Sequence, residues 1–184
     1  MAAKVKKQTW MGVREVPYFG QIWTAVSAEG VVAVSLWSER ERIEADVIRL
    51  TGLPPLYEPE RVTATSATLS ANVLDQLDEY FHQQRHVFDL PLDWSVMTPF
   101  QQSALRAVCA IPYGKTLTYA DVAAQIGRPK AVRAVGRANA TNPMPILIPC
   151  HRVLGRDGKL HGYGGPGGLE TKAWLLRLES AWLL

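Results

Sequence analysis

The segment Asp89-Leu90-Pro91-Leu92-Asp93 interrupts the helix and strand patterns on either side of it, and a clear helix start follows within a few residues. Proline among short polar residues commonly marks a loop between ordered elements. A chain of 184 residues is long enough for one large domain or two small ones. We therefore predict two domains, an N-terminal one over residues 1–92 and a C-terminal one over residues 93–184.

The two halves of the chain differ in charge. Residues 1–99 hold 9 Lys and Arg against 13 Asp and Glu, a net charge of −4, whereas residues 100–184 hold 11 against 4, a net charge of +7. This asymmetry indicates that the basic half binds a polyanion and that the more acidic half does not. A basic face that only keeps the protein in solution is the alternative, and charge alone does not exclude it.

The first half carries mixed strand and helix signals. Ser38, with Glu41 three residues later, matches a capping box, and Gly52 is a typical helix end. The predicted elements are a strand over 21–27, a hairpin connection at 28–30, a strand over 31–36, a helix over 38–52 and an amphipathic helix over 70–84. No residue pattern in this half indicates catalysis.

Two helix starts stand out in the second half. Thr98 is a good N-cap, with Pro99 at the first helical position and Gln101 at the capping-box position. The segment Thr118-Tyr119-Ala120-Asp121 is a second N-cap signal, and the helix that it begins is expected to stop at Gly127. Pro129 is expected to open a third helix. The second and third helices would then be two short helices joined by a tight turn, and this layout predicts a helix-turn-helix.

The helix predicted after Pro129 combines positive charge with small side chains. At about 100° per residue, Lys130, Arg133 and Arg137 share one edge, with Ala131, Ala134 and Ala138 beside them, while Val132 and Val135 face the core. Cations pair with phosphates, and small side chains allow close approach, so this face suits a DNA groove. The alternative is a solvated helix in which alanine serves only helix propensity.

The segment Pro149-Cys150-His151-Arg152-Val153 carries the strongest candidate nucleophile. It follows Ile146-Leu147-Ile148, which we predict to be a buried strand or extended segment. A thiolate is the reactive form of cysteine, and a nearby imidazole can favour it. Adjacent residues of an extended chain point to opposite faces, so His151 needs a local bend or a bridging water to act as base. Cys109, the second cysteine, is expected to be core packing.

The same motif, with Arg133-Ala134-Val135-Gly136 upstream and Gly167-Gly168-Leu169 downstream, closely resembles the O6-alkylguanine-DNA alkyltransferases. The likeness runs from about Thr98 to Glu179. It implies DNA repair by direct, stoichiometric transfer of an alkyl group from O6-alkylguanine in double-stranded DNA to the protein's own cysteine. Each molecule would then react once, and the resemblance leaves open whether O4-alkylthymine is also a substrate.

The resemblance also implies individual roles. Cys150 matches the alkyl acceptor, His151 the base that acts through a water, and Glu179 the carboxylate that orients the histidine. Tyr119 matches a tyrosine that donates a proton to the base ring, and a phenol is a sensible acid for this purpose.

Further residues match the parts of the family that hold DNA and form the pocket. Arg133 matches the arginine that fills the gap left by the extruded nucleotide, and Asn142 matches a hinge between the recognition helix and the active-site segment. The residues expected to contact DNA are Thr118, Lys130, Ala131, Arg133, Ala134 and Arg137. Pro145, Val153 and Tyr163 would line the pocket, beside a loop over 162–168 that is about two residues longer than is usual in the family.

The predicted fold class is α/β (α+β): an N-terminal ribonuclease-H-like sheet-and-helix domain followed by a mainly helical C-terminal domain that carries the chemistry. We expect no cofactor, and no zinc because residues 1–99 contain no cysteine. We also expect a monomer that binds DNA rather than membrane. With only two cysteines and no C-x-x-C pair, a reducing, cytoplasmic setting (nuclear in a eukaryote) is the simpler interpretation.

Three other functions fit parts of the pattern. An alkyltransferase-like sensor shares the fold but lacks the cysteine, so Cys150 argues against it. A helix-turn-helix regulator would place Asn, Gln and Arg on the recognition helix, whereas this helix carries alanines. A thiol hydrolase would place its histidine far from the cysteine in sequence, which the adjacent Cys150-His151 pair does not match.

Overall fold

The chain divides into two compact units, Met1–Val96 and Met97–Leu184, both of which contain strands and helices. Residues 93–96, which the sequence pattern assigned to the second domain, belong to the first unit in this division. No described helix is both long enough and apolar enough to cross a membrane. The computed structural model describes residues 6–16, 20–36, 38–57, 64–160, 162, 164 and 167–181.

The first unit is built on an antiparallel sheet whose strands lie in the order β1 (Trp10–Val16), β2 (Gly20–Ser27) and β3 (Gly30–Leu36). The predicted hairpin connects β2 to β3 through Ala28 and Glu29. Helices α1 (Arg40–Thr51) and α2 (Ala64–Phe81) pack against the sheet. A cluster of buried side chains from the sheet and α1 forms the core: Met11, Trp23, Ala25, Val32, Ala33, Ile43 and Val47.

Three predictions for the first unit were incomplete or wrong. The strand β1 was not predicted, and α2 begins at Ala64 and ends at Phe81 rather than spanning 70–84. Ser38 does not cap α1: its hydroxyl accepts a hydrogen bond from Ser35 Oγ at 2.6 Å and donates to the carbonyl of Leu36. The expected helix end at Gly52 is confirmed, with φ of 76°.

The second unit begins with the predicted capped helix. Thr98 accepts from the backbone of Gln101, which confirms the predicted capping box, and Thr118 accepts from the backbone of Asp121, which confirms the predicted N-cap. The strands β4 and β5 pair in parallel and join the start of α4 to the segment just after Cys150. The elements are α3 (Pro99–Cys109), β4 (Leu117–Thr118), α4 (Tyr119–Gln125), α5 (Val132–Ala140), a 3₁₀ turn (Cys150–Arg152), β5 (Val153–Leu154) and α6 (Gly168–Leu178).

Helix α5 is shorter and rotated relative to the prediction. It begins at Val132 with Ala131 as N-cap, so that Pro129 and Lys130 lie in the preceding turn. Val135 is buried as predicted, but Val132 is 37% exposed. Ala138, predicted to lie on the exposed alanine edge, is buried, because the contacts of α5 with α3 and α4 cover this side of the helix.

The apolar segment before Cys150 is a buried turn rather than a strand. The backbone N–H of Ile148 bonds to the carbonyl of Met144 at 2.8 Å, which closes the turn. Ile146 has φ of 72° and is buried. A β-branched residue in this left-handed region costs about 1–3 kcal/mol, so the surrounding packing must hold the turn in place.

Candidate active site

Asn142 ties the end of α5 to the cysteine. Its Nδ2 donates to the carbonyl of Ile148 at 2.8 Å and to Cys150 Sγ at 3.2 Å, while its Oδ1 accepts from the backbone of Met144 at 3.0 Å. One side chain therefore bonds to both ends of the buried turn and to the sulfur. This arrangement connects the end of α5 to the buried turn and to the thiol of Cys150.

Cys150 lies at the start of the 3₁₀ turn and is 5% exposed. Burial raises the pKa of its thiol, while the hydrogen bond from Asn142 and the positive charge of Lys172 lower it. Burial dominates, so the resting side chain is a thiol. Reaction as a thiolate then requires a base at hand.

His151 is fully buried, and its Nε2 lies 2.8 Å from Glu179 Oε1. Because a carboxylate only accepts, this contact assigns the ring proton to Nε2 and leaves a lone pair on Nδ1. Nδ1 is buried with no hydrogen-bond partner among the described residues. Burial lowers the pKa of His151, and the contact with Glu179 opposes this, so the ring is a neutral base at neutral pH.

Glu179, just after α6, is held from several directions. Arg152 donates from Nε to Oε2 at 2.8 Å and from Nη2 to Oε1 at 2.9 Å, and the backbone of Gly114 donates to Oε2 at 3.3 Å. Burial alone raises the pKa of Glu179, but the hydrogen bonds from His151 and Arg152 lower it to about 2. The carboxylate is therefore ionised at any working pH.

Tyr119 and Lys172 complete the surroundings of the thiol. Burial, together with the negative charge of a Cys150 thiolate, raises the pKa of Tyr119 to about 12, so its hydroxyl keeps its proton. Lys172 is fully buried, and its Nζ donates to the carbonyl of Val153 at 2.6 Å and lies 5.7 Å from the centre of the Tyr119 ring. Burial lowers the pKa of Lys172 to about 8, and the charge of Cys150 partly opposes this.

The assembled groups suit attack by a sulfur on a carbon. The site holds a thiol, a neutral imidazole oriented by a carboxylate, a protonated phenol and a buried ammonium group. This is the nucleophile, base and orienting-group pattern of acyl-transfer triads, but with a proton donor in place of an oxyanion hole. No group of three or more His, Cys, Asp or Glu among the described residues could hold a metal ion.

The residues predicted to contact DNA lie around the start of α5. Arg133, Ala134 and Arg137 are exposed on α5, Lys130 is exposed in the turn before it, and Ala131 is half-buried. Thr118 is half-buried, and its hydroxyl is engaged with Asp121 in the capping box of α4. Two of these exposed cations, Arg133 and Arg137, therefore lie on the helix whose C-terminal end leads to Asn142.

Two of the predicted pocket residues can be located. Pro145 is buried in the turn before Cys150, and Val153 is buried directly after the 3₁₀ turn. The carbonyl of Val153 already accepts from Lys172. Tyr163 lies outside the described residues, as do residues 165 and 166 of the glycine-rich loop.

Sequence reasoning missed Lys172, Arg152 and Gly114. Lys172 was detectable, because it shares an i, i+3, i+4, i+7 stripe with Leu175, Leu176 and Glu179, and all four are buried. A lysine on the buried stripe of a helix needs a functional or structural partner. Nothing local marks Arg152 or Gly114, since their partner Glu179 is far away along the chain.

The family model and two curated relatives that match this chain are all methyltransferases that act on methylated DNA. Residues 99–181 match the family model described as 6-O-methylguanine DNA methyltransferase, DNA binding domain. The methylated-DNA–protein-cysteine methyltransferase of Salmonella typhimurium is 39% identical over 166 residues, covering 90% of this chain and 92% of that protein. The constitutive methylated-DNA–protein-cysteine methyltransferase of Bacillus subtilis is 51% identical over 109 residues, covering 59% of this chain and 65% of that one.

Solved structures extend the likeness to the whole fold. The crystal structure of Mycobacterium tuberculosis OGT in complex with DNA matches with a TM-score of 0.72 at 34% identity, covering 93% of this chain and 92% of that one. The M. tuberculosis O6-methylguanine methyltransferase matches with a TM-score of 0.71 at 34% identity, covering 96% and 95%. The similarity therefore includes both units and not only the segment matched by the family model.

Proposed function

The chain belongs to the methylated-DNA–protein-cysteine methyltransferase family, and we propose that Cys150 is the residue that receives the alkyl group. The protein repairs DNA by direct transfer of an alkyl group to its own cysteine. One observation carries the choice of Cys150: its neighbour His151 is held by Glu179 through Nε2 while the buried Nδ1 has no partner among the described residues. Burial raises the pKa of the thiol of Cys109, the other cysteine, to about 11.

The transfer follows from these groups. Nδ1 of His151 takes the thiol proton of Cys150 through a bridging water, and the sulfur attacks the alkyl carbon on O6 of the guanine. The new S–C bond forms as the C–O bond breaks, and the bonding electrons go to the guanine. Tyr119 gives its proton to the base ring and so relieves the developing charge. The product is a thioether on Cys150 and an unmodified guanine.

Positive charge and hydrogen bonding favour the thiolate once it forms. Asn142 Nδ2 already donates to the sulfur, and a hydrogen bond to an ionised acceptor is stronger than one to a neutral acceptor. The buried ammonium of Lys172 adds electrostatic stabilisation in a region with little water. Both groups are in place before reaction, so no reorganisation is needed when charge develops.

A thioether has no evident route back to a thiol, and none of the groups around Cys150 would supply one. Each molecule is therefore expected to react once. Direct transfer of this kind consumes the protein rather than a cofactor.

DNA is the partner, and the proposed reading element is α4, the turn after it, and α5 as a helix-turn-helix. A thiolate cannot reach a base inside the stack, so the damaged nucleotide must rotate out of the duplex. Arg133, which is exposed near the start of α5, would enter the duplex and fill the gap. Lys130 and Arg137 would contact phosphates, and the ribonuclease-H-like assignment of the first unit stays a prediction.

We expect the protein to gain a single methyl group after incubation with a duplex that contains one O6-methylguanine. Peptide mass spectrometry should place this gain on the peptide containing Cys150, because His151, a base oriented by Glu179, lies directly beside this cysteine. The peptide containing Cys109 is the internal control and should stay unmodified.

A duplex with unmodified guanine is the second control, and native mass spectrometry of the same sample reports whether the protein is a monomer. Methyl gain on Cys109 instead of Cys150 would overturn the assignment of the acceptor. Lesion binding without any mass gain would indicate a sensor, and absence of both would reduce the family likeness to one of fold.

Replacing Tyr119 with phenylalanine is expected to slow transfer by about 10²-fold, the lower range for loss of a general acid. The ring and its contact with Lys172 remain, so lesion binding should change little. Single-turnover transfer rates and equilibrium binding to the lesion duplex measure the two effects. Tyr113→Phe, which removes a hydroxyl that donates to the carbonyl of Leu178 at 3.1 Å, is the matched control. Equal effects of both variants would remove Tyr119 from the reaction.

A further inference from the structure

Arg152 is buried next to His151 and takes no part in the reaction steps above. Its guanidinium makes three hydrogen bonds: Nε and Nη2 grip the two oxygens of Glu179, and Nη1 donates to the carbonyl of Ile111 at 2.6 Å. The two hydrogen bonds to Glu179 form a bidentate salt bridge, the strongest geometry for an arginine–carboxylate pair. Arg152 therefore anchors Glu179 to the turn that follows α3.

Glu179 contacts both Arg152 and His151. Its Oε1 receives both Arg152 Nη2 at 2.9 Å and His151 Nε2 at 2.8 Å, so the same oxygen meets the cation and the imidazole. Without Arg152, the buried carboxylate of Glu179 would lose the guanidinium that balances its charge, and the imidazole would face a less compensated negative charge. Two such groups attract a shared proton, and His151 would then hold it as an imidazolium. An imidazolium has no lone pair at Nδ1 with which to accept the proton of Cys150.

We propose that Arg152 is a positioning residue for alkyl transfer. It fixes both oxygens of Glu179 and cancels the negative charge, so that His151 remains a neutral base with Nδ1 available. This role rests on the proposed function, because it presumes that His151 accepts the thiol proton. Arg152 would act through Glu179 and His151, without contact with the reacting atoms.

The charged groups around His151 agree with this role. Glu179 is the anion that contacts the ring, and the cations are Arg152 in the same turn and Lys172 on α6. Burial is the largest cause of the lowered pKa of His151, and both cations lower it further, while Glu179 raises it. The described groups thus hold one negative charge against two positive charges, and this balance disfavours protonation of the ring.

The test compares the pH dependence of single-turnover methyl transfer for the parent protein, Arg152→Met and Arg152→Lys. Removing the guanidinium should raise the pKa of His151. The acid limb of the profile, where the rate falls because His151 becomes protonated, should then move to higher pH by about one unit or more. At pH values below this limb the rate should be about tenfold lower than that of the parent protein. Lysine keeps the positive charge but cannot form the bidentate contact with Glu179, so Arg152→Lys should give a smaller shift of the acid limb. Arg177→Met, an exposed arginine on α6, is the matched control and should leave the limb in place.

Protonation of His151 is measured separately by NMR of the histidine ring in the same variants, without DNA. A raised pKa of His151 in Arg152→Met, with a smaller rise in Arg152→Lys, supports the proposal even if transfer is lost. A folded Arg152→Met protein with an unchanged profile and an unchanged His151 would overturn it. If Arg152→Met does not fold, Arg152→Lys decides the matter by the same two measurements. Failure of the parent protein to methylate Cys150 would instead overturn the proposed function.

Discussion

Cys150→Ala is expected to abolish alkyl transfer, with a rate reduction of more than roughly 10⁴-fold, since removal of a nucleophile leaves no alternative route through the same site. Alanine should not disturb the fold, because Asn142 Nδ2 keeps its second acceptor, the carbonyl of Ile148. Lesion binding should therefore persist. Mass spectrometry for transfer and equilibrium binding to the O6-methylguanine duplex measure the two outcomes.

Cys109→Ala is the matched control, since it removes the other cysteine from α3 and should leave transfer close to that of the parent protein. The Cys150→Ala protein also provides a background in which binding can be measured without reaction. Adding Arg133→Ala there should reduce the preference for the lesion duplex over an undamaged one. Residual transfer in Cys150→Ala, or transfer lost only in Cys109→Ala, would contradict the assignment of the nucleophile.

Glu179→Gln is expected to lower the free energy of unfolding by about 3–5 kcal/mol, because it leaves the guanidinium of Arg152 buried without its anion. The amide also loses the charge that orients His151, so transfer should slow by about 10²-fold or more. Urea unfolding at pH 7 and single-turnover rates measure the two effects. Glu170→Gln, the same change at an exposed position in the first turn of α6, should alter neither.

The same variant has a distinct pH signature. The pKa of Glu179 is about 2 in the folded protein and 4.5 as its ordinary value, so its ionised form is stabilised by folding. This stabilisation is complete above pH 4.5 and is lost as the pH falls from about 4.5 to about 2. The parent protein should lose stability across this window, whereas Glu179→Gln should lack that part of the loss. Identical acid unfolding curves would show that Glu179 is not held as described.

Features that depend on near neighbours could be predicted from the sequence. The predictions of a capping box at Thr98, an N-cap at Thr118 and a helix end at Gly52 were correct, because each feature involves hydrogen bonds or backbone angles within a few residues. The same reasoning failed at Ser38, whose hydroxyl bonds to the end of β3 instead of the helix. Local rules identify a competent cap but do not show which competing partner it will choose.

Burial around α5 and the turn after it followed the tertiary contacts rather than the periodicity. Val132 is exposed and Ala138 is buried because α5 starts three residues after Pro129 and packs on α3 and α4. Ile146 adopts a left-handed conformation that its β-branched side chain disfavours, so no propensity argument could predict that turn. Packing supplied the energy that overrode the local preference.

The sequence by itself determined the chemistry of this protein: a cysteine beside a histidine, a basic helix before it, and a family motif that names the acceptor. The tertiary structure decided which groups surround that cysteine, because Glu179, Lys172 and Gly114 reach the site only through contacts made at a distance along the chain. It also decided the protonation states, since burial and neighbouring charges set whether Cys150 is a thiol and His151 a base. A residue type carries its functional group, but its pKa and orientation come from neighbours that only folding brings together.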